Sequence, residues 1–323
     1  MKGKYMLKAL FNISLLVTLS GLIIVGCNKE TTAPEFTDTD FLKQAVTSSD
    51  SLADFLDSED ISLNDGDVKD FDYDDYSTLK TSATITPLRW GRKIENITKV
   101  VNVEFFDSIA IATVYKTITG KFIVKGIDTN GDTIRVEKPF TTNTERKIRF
   151  RKIANYADPR KNWIPVAMTL IAGKTSNTNF GISQLEVFST FDTVTVTDPL
   201  TYWFRMAPWR GGIAILKPGD SVRVRLTLTS PEDSAEYAMI RHGAFNKFNN
   251  KRIRSRMILV SQTGSTGAYT RVYEKKFIAH LPMGHAYGRF HTLVDVMSYY
   301  SINDDTAPFM NMFWGAPYVV RRW

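Results

Sequence analysis

From about Arg89 onward the residue pattern is that of β-strands, and this commits most of the chain to sheet. The clearest case follows the turn Lys217-Pro218-Gly219-Asp220. There Val222, Val224, Leu226 and Leu228 alternate with Arg223, Arg225 and Thr227, so one face is apolar and the other is polar and cationic. Residues 109–115, 122–127, 133–136, 147–151 and 163–171 read as further strands. Asn130-Gly131 between the second and third spells a tight hairpin, because both turn residues accept positive φ. Beyond residue 180 the expected strands are 192–197, 213–216, 257–261, 273–279, 289–297 and 316–320. A helix over 40–57 precedes them, with Asp38 or Thr39 as its cap and Phe41, Ala45, Leu52, Phe55 and Leu56 as its apolar stripe.

A helix followed by a meander of long strands suggests a sheet curled around that helix. The stretch 173–180 is rich in Gly, Ser, Thr and Asn and reads as a linker. The expected fold is therefore an α+β domain at 39–172 followed by an all-β sandwich at 181–323. Through Trp90-Gly91-Arg92, the strand at 109–115 and Thr144-Glu145-Arg146-Lys147-Ile148 ahead of Trp163, the first segment resembles the nuclear-transport-factor-two-like cone fold. That resemblance implies a pocket, in which some members use His or Asp as a general base; this segment holds no histidine. The second segment resembles bacterial immunoglobulin-like domains through Pro218-Gly219-Asp220 and Gly288-Arg289-Phe290-His291-Thr292-Leu293-Val294-Asp295-Val296. It lacks the Cys…Trp…Cys framework of antibody domains, so only the architecture carries over.

The N-terminus reads as an address rather than as fold. Lys2, Lys4 and Lys8 form a positive start, and residues 9–25 are apolar but interrupted by Asn12, Ser14, Thr18 and Ser20. Such a stretch suits a signal peptide better than a membrane span. It ends in Ile24-Val25-Gly26-Cys27, which resembles the lipobox of bacterial lipoproteins. The resemblance implies that 1–26 are removed, that Cys27 is acylated and that 27–38 form a tether to the membrane. Asn28, where Asp would mark inner-membrane retention, favours the outer membrane. Cys27 is the one cysteine of the chain, so disulfides, thiolate catalysis and Cys-zinc sites are excluded from the mature protein.

Charge is unevenly placed. Residues 28–82 carry 15 acidic and 4 basic side chains, a net of −11, whereas 83–323 carry 34 basic and 19 acidic, a net of +15. A basic body of this kind suits phosphate- or carboxylate-rich envelope polymers, although a solvated surface is the plainer account. The densest basic run is Lys247, Lys251, Arg252, Arg254 and Arg256, interleaved with Phe245 and Phe248. Outside the cytoplasm nucleic acid is not its expected partner. Asp70-Phe71-Asp72-Tyr73-Asp74-Asp75-Tyr76 reads as a solvated acidic-aromatic loop rather than a calcium site.

Four histidines limit acid–base and metal chemistry: His242, His280, His285 and His291. The candidate metal or acid–base set is His280, His285, His291 and Asp295, with His291 and Asp295 sharing strand parity. Pro282 and Gly284 interrupt the spacing, which matches no compact zinc motif, so loop or surface histidines are the favoured reading. Asp128-Thr129-Asn130-Gly131-Asp132 imitates the start of a calcium loop, but Thr133 and Pro139 stand where Gly and Glu are required. No nucleophile elbow, P-loop, dinucleotide fingerprint or His-Glu-x-x-His occurs. The sequence thus points to a non-catalytic envelope lipoprotein without cofactor that binds a protein or glycan partner. An envelope hydrolase using the C-terminal His and Asp residues, and a small-ligand or metal sensor, are the alternatives.

Overall fold

The computed structural model describes residues 36–48, 63, 65, 69–70, 83–190, 192–206, 214–244, 253–281, 284–315 and 317–322. Cys27 and the signal segment lie outside the described residues, as do most of the acidic-aromatic run and Lys247, Lys251 and Arg252 of the basic run. Of the expected helix, α1 spans Asp38–Thr47.

Strand alternation dominates the rest. Three long antiparallel strands, β2 (Ile85–Phe106), β3 (Ile109–Asp128) and β4 (Thr133–Lys152), form a ribbon that begins with the short β1 (Lys69–Asp70) at its edge. Strands of 20 residues or more cannot stay flat. The β2–β3 ladder shifts register at Pro87/Arg89 and at Ile94/Asn96. Opposite the second shift a Cβ on Gly120 would stand 2.2 Å from the Lys93 carbonyl oxygen, so only glycine permits the sheet to curl this tightly. The two strands expected at 109–115 and 122–127 are one strand, and Asn130-Gly131 sits in a longer turn closed by Asp128.

Next come β5 (Trp163–Thr169), β6 (Ala172–Thr175), β7 (Gly181–Phe188), β8 (Thr193–Val196), β9 (Trp203–Arg205), β10 (Ala214–Leu216), β11 (Ser221–Ser230) and β12 (Tyr237–Ala244). After them run β13 (Ile253–Arg256), β14 (Ile258–Ser265), β15 (Ala268–Ile278), β16 (Tyr287–Met297), the short α2 (Tyr299–Asn303), β17 (Asn311–Gly315) and β18 (Tyr318–Arg321). Among the described residues the larger sheet has 13 strands, nine of them along the path β1-β2-β3-β4-β6-β17-β16-β12-β13 and β5, β9, β10 and β18 off it. The smaller has five, β14-β15-β11-β7-β8. Every pairing is antiparallel except β10 with β18.

The two sheets face one another. Val222, Val224, Leu226 and Leu228 of β11 turn inward as their alternation requires, each at most 1% exposed. They share one apolar core with Ala238 and Ile240 of β12 and Val294 and Val296 of β16, and with Leu42 and Val46 of α1. A second core gathers Trp90, Phe122, Phe140, Phe309 and Tyr299, with the Phe122 and Phe309 rings stacked at 4.4 Å. Leu42 and Val46 are the two buried positions of α1, spaced four apart on one helix face.

The molecule is therefore mostly strand, with a curled antiparallel sheet and a β-sandwich. A separate α+β body over 39–172 does not stand out. The reason lies in 173–180: Gly173 and Lys174 are strand residues paired to β4 on one side and β17 on the other, and Thr175 continues the pairing with β4. Gly173 lies directly under the Phe313 ring, where a Cβ would come within 2.3 Å of Cζ. A stretch of small residues reads as a linker in sequence, yet here the same smallness lets an aromatic ring sit on the backbone.

Candidate anion-binding groove

Among the described side chains, those expected to carry chemistry do not converge. His280 and His285 are exposed, and the side chain of His291 lies outside the described residues. His242 is buried in β12 and stacks on the Phe277 ring at 4.3 Å. Burial, aided by the Lys275 ammonium, pulls its pKa down to about 4. Among the described residues no group of three or more His, Cys, Asp or Glu side chains is placed to hold a metal ion. The carboxylate of Asp128 accepts the backbone N–H of Asn130 at 2.9 Å and of Asp132 at 2.8 Å. The calcium-like motif thus spends its first carboxylate closing a turn.

Asp295 is fully buried in an ionic cluster. Arg92 ion-pairs with it from β2, and Arg241 Nε donates to Oδ2 at 3.3 Å from the neighbouring β12. Arg241 also meets Asp65 through Nη1 at 2.7 Å. Arg254 lies over the Trp90 ring at 3.9 Å and 3.5 Å from Asp65. Burial would raise the Asp65 pKa, but the Arg241 guanidinium outweighs it and holds the carboxyl well below its usual range. A second buried pair joins Arg271 Nη1 to Glu236 Oε1 at 2.7 Å, and Glu236 Oε2 accepts the Tyr273 hydroxyl at 3.0 Å. Perturbed ionisation often marks a reacting centre. Here Asp65 and Arg241 are enclosed and already paired with each other, which is the arrangement of a structural clamp.

A groove of 480 Å³ opens elsewhere, on the outer face of the side arm β4–β5–β9. The alternation at 147–151 builds it. Ile148 and Phe150 point into the core, so Arg149 and Arg151 point out. Arg149 pairs with Ala167 of β5, and Ala167 pairs in turn with Arg205 of β9. Residues in register across adjacent strands share a face. Two arginines therefore flank one alanine, whose methyl group forms the floor, while Arg151 with Ile164, Pro165 and Val166 completes the walls. Trp203, two residues before Arg205 on the same face, lies 4.3 Å beneath the Arg149 guanidinium and fixes it by a cation–π contact. The Nε of Arg149 is buried and finds no acceptor among the described residues.

A half-buried guanidinium that lines a groove and is held flat by an aromatic ring is a donor preset for an incoming anion. Three arginines around a concave floor can bind carboxylate, sulfate or phosphate groups. They offer no nucleophile and no general base. The alternation at 147–151 is enough to put Arg149 and Arg151 on one face, but Arg205 and Ala167 carry no local signal, because the register of β5 and β9 puts them there. Searches among protein families, curated proteins and solved structures find no match to this chain.

Proposed function

We propose that the chain is a cell-envelope lipoprotein, held through acylated Cys27 at the outer membrane, whose body binds an acidic envelope glycan without catalysis. The observation that carries the binding reading is the Arg149–Ala167–Arg205 row lining one groove, with Trp203 beneath the Arg149 guanidinium. The net of +15 over 83–323 favours a polyanion over a neutral sugar. The anchor rests on the lysine-rich start and on Ile24-Val25-Gly26-Cys27. Two acyl chains hold a protein on a bilayer firmly where one is marginal.

A finer division of the fold belongs to the same reading: a helix-bearing curled sheet over 39–172 and an immunoglobulin-like sandwich over 181–323. It is supported by the five-stranded sheet, whose strands are all drawn from residues 181–278.

Two measurements test the proposal. Mass spectrometry of protein from its native host should find Cys27 acylated as the first residue. Affinity electrophoresis in gels carrying a polyuronate should retard the protein, and gels with neutral dextran should not. Arg149→Ala and Arg205→Ala should each weaken the retardation at least tenfold. Equal retardation of wild type and both variants would dispose of the groove as the binding site.

A further inference from the structure

One end of the long ribbon is apolar and exposed. β2 and β3 are joined there by the two-residue turn Asp107-Ser108, with Asp107 at φ +51°, the left-handed conformation that a tight hairpin requires. Phe106 and Ile109 pair across the turn and share its outer face, and Phe105 stands on the other; Phe106 is 53% exposed. Beside them the loop after β4 presents Ile153 and Tyr156, the latter 63% exposed. This end is held rigidly. The Ser108 carbonyl accepts the Lys152 N–H at 2.8 Å, and Asn162 ties the loop from both sides, accepting the Tyr156 N–H at 2.6 Å and donating to its carbonyl at 2.9 Å. Phe105 packs edge-on to Trp163 at 5.7 Å. Water gains nothing from a rigid cluster of such rings, which marks a surface built to be covered.

What covers it follows from where the chain arrives. Asp38, the first residue of α1, lies 3.5 Å from Lys152 at this same end. Eight residues lie between Cys27 and Phe36, and the nine steps of chain reach at most about 30 Å. We infer that the apolar end formed by Phe105, Phe106, Ile109, Ile153 and Tyr156 rests on the bilayer that holds the acyl chains, its rings entering the headgroup layer. This inference relies on the lipoprotein reading above.

Charge does not drive the contact. Arg151, Lys152, Arg160 and Lys161 are matched at this end by Asp38, Glu104, Asp107 and Asp158, so attraction to anionic lipid nearly cancels. Aromatic and aliphatic side chains at interfacial depth carry it instead. Rings on one end then make a contact that persists in neutral lipid and in high salt. The same docking sets the arginine groove close to the membrane surface, because Arg151 pairs with Ile109 one step from the turn.

The test uses the full lipidated protein in phosphatidylcholine vesicles. Cys27 is the one cysteine and its sulfur is blocked by lipid, so Ser108→Cys supplies a single thiol for an environment-sensitive fluorophore. Asn130→Cys supplies the control at the far end of β3, on the order of 60 Å away. Nitroxide lipids labelled at headgroup depth should quench the label at 108 several-fold more than the label at 130, equally at 0.1 and 1 M salt. Phe105→Ser with Phe106→Ser should abolish that difference while co-flotation with vesicles is retained. Co-flotation with equal quenching at both sites would overturn the inference and leave the lipoprotein reading standing. Failure of the native-host protein to float would strike that reading itself. Quenching confined to anionic vesicles and lost in salt would show a charge-driven contact. Protection of the label without vesicles, rising with protein concentration, would show a second copy as the occupant. Either result would overturn the proposal.

Discussion

Arg92 Nη1 donates to Asp295 Oδ1 at 3.3 Å, joining strands that lie 203 residues apart in sequence. Both side chains are almost wholly withdrawn from water, the one at 2% and the other at 0% exposure. The bond fixes the long ribbon against the sandwich, and it takes the aspartate that sequence spacing had placed beside His291 as a candidate acid–base residue.

Replacing that aspartate leaves two buried guanidinium groups facing each other. Asp295→Asn should cost about 3–5 kcal/mol, because breaking a buried pair strands an uncompensated charge. Adding Arg92→Met restores the charge balance of the cluster, so the double variant should be more stable than Asp295→Asn alone. Urea denaturation of the three proteins checks the order. If the double variant is the least stable, the Asp295 carboxylate is not balanced by Arg92.

His242 makes folding pH-dependent. Its pKa is about 4 in the folded protein, against an ordinary value of 6.5. Between those values the unfolded chain binds the proton and the folded chain does not, so stability rises with pH across this window. Acidification from pH 7 to 4 should remove up to about 3 kcal/mol through this residue. His242→Phe should flatten the loss over pH 4–6.5, which thermal unfolding across that range will show. An unchanged slope would mean that other groups set it.

The groove's floor offers a test that leaves charge alone. Ala167→Leu places an isobutyl group between Arg149 and Arg205. Polyuronate binding should fall at least tenfold, with the melting temperature shifted by only a few degrees. Undiminished binding would place the polyanion elsewhere on the basic body.

Gly173 tests whether 173–180 belongs to the core. A methyl group there meets the buried Phe313 ring at 2.3 Å. Gly173→Ala should cost about 1–3 kcal/mol by overpacking. Phe313→Leu in the same chain should recover part of that cost, a coupling readable from a double-mutant cycle in urea. Simple additivity would mean that the ring moves aside freely.

Local alternation made much of the strand content legible. Val222 to Leu228 and Ile148 to Phe150 point inward as their period dictates, because a strand's side chains must take opposite faces in turn. The Pro218-Gly219 and Asn130-Gly131 turns are equally local, and both glycines adopt positive φ. A single cysteine is equally plain in the sequence, and it excludes a disulfide within the chain.

Pairing is another matter. Nothing near Gly173 in sequence announces Phe313, nothing near Arg149 announces Arg205, and nothing near Arg92 announces Asp295. Each partnership depends on which strands meet and in what register, and a strand's own residues say which face is buried but not what lies across the ladder. The sequence by itself set the inward and outward faces. The tertiary structure alone decided that three outward arginines share one groove, and that the linker-like glycine is packed under a ring.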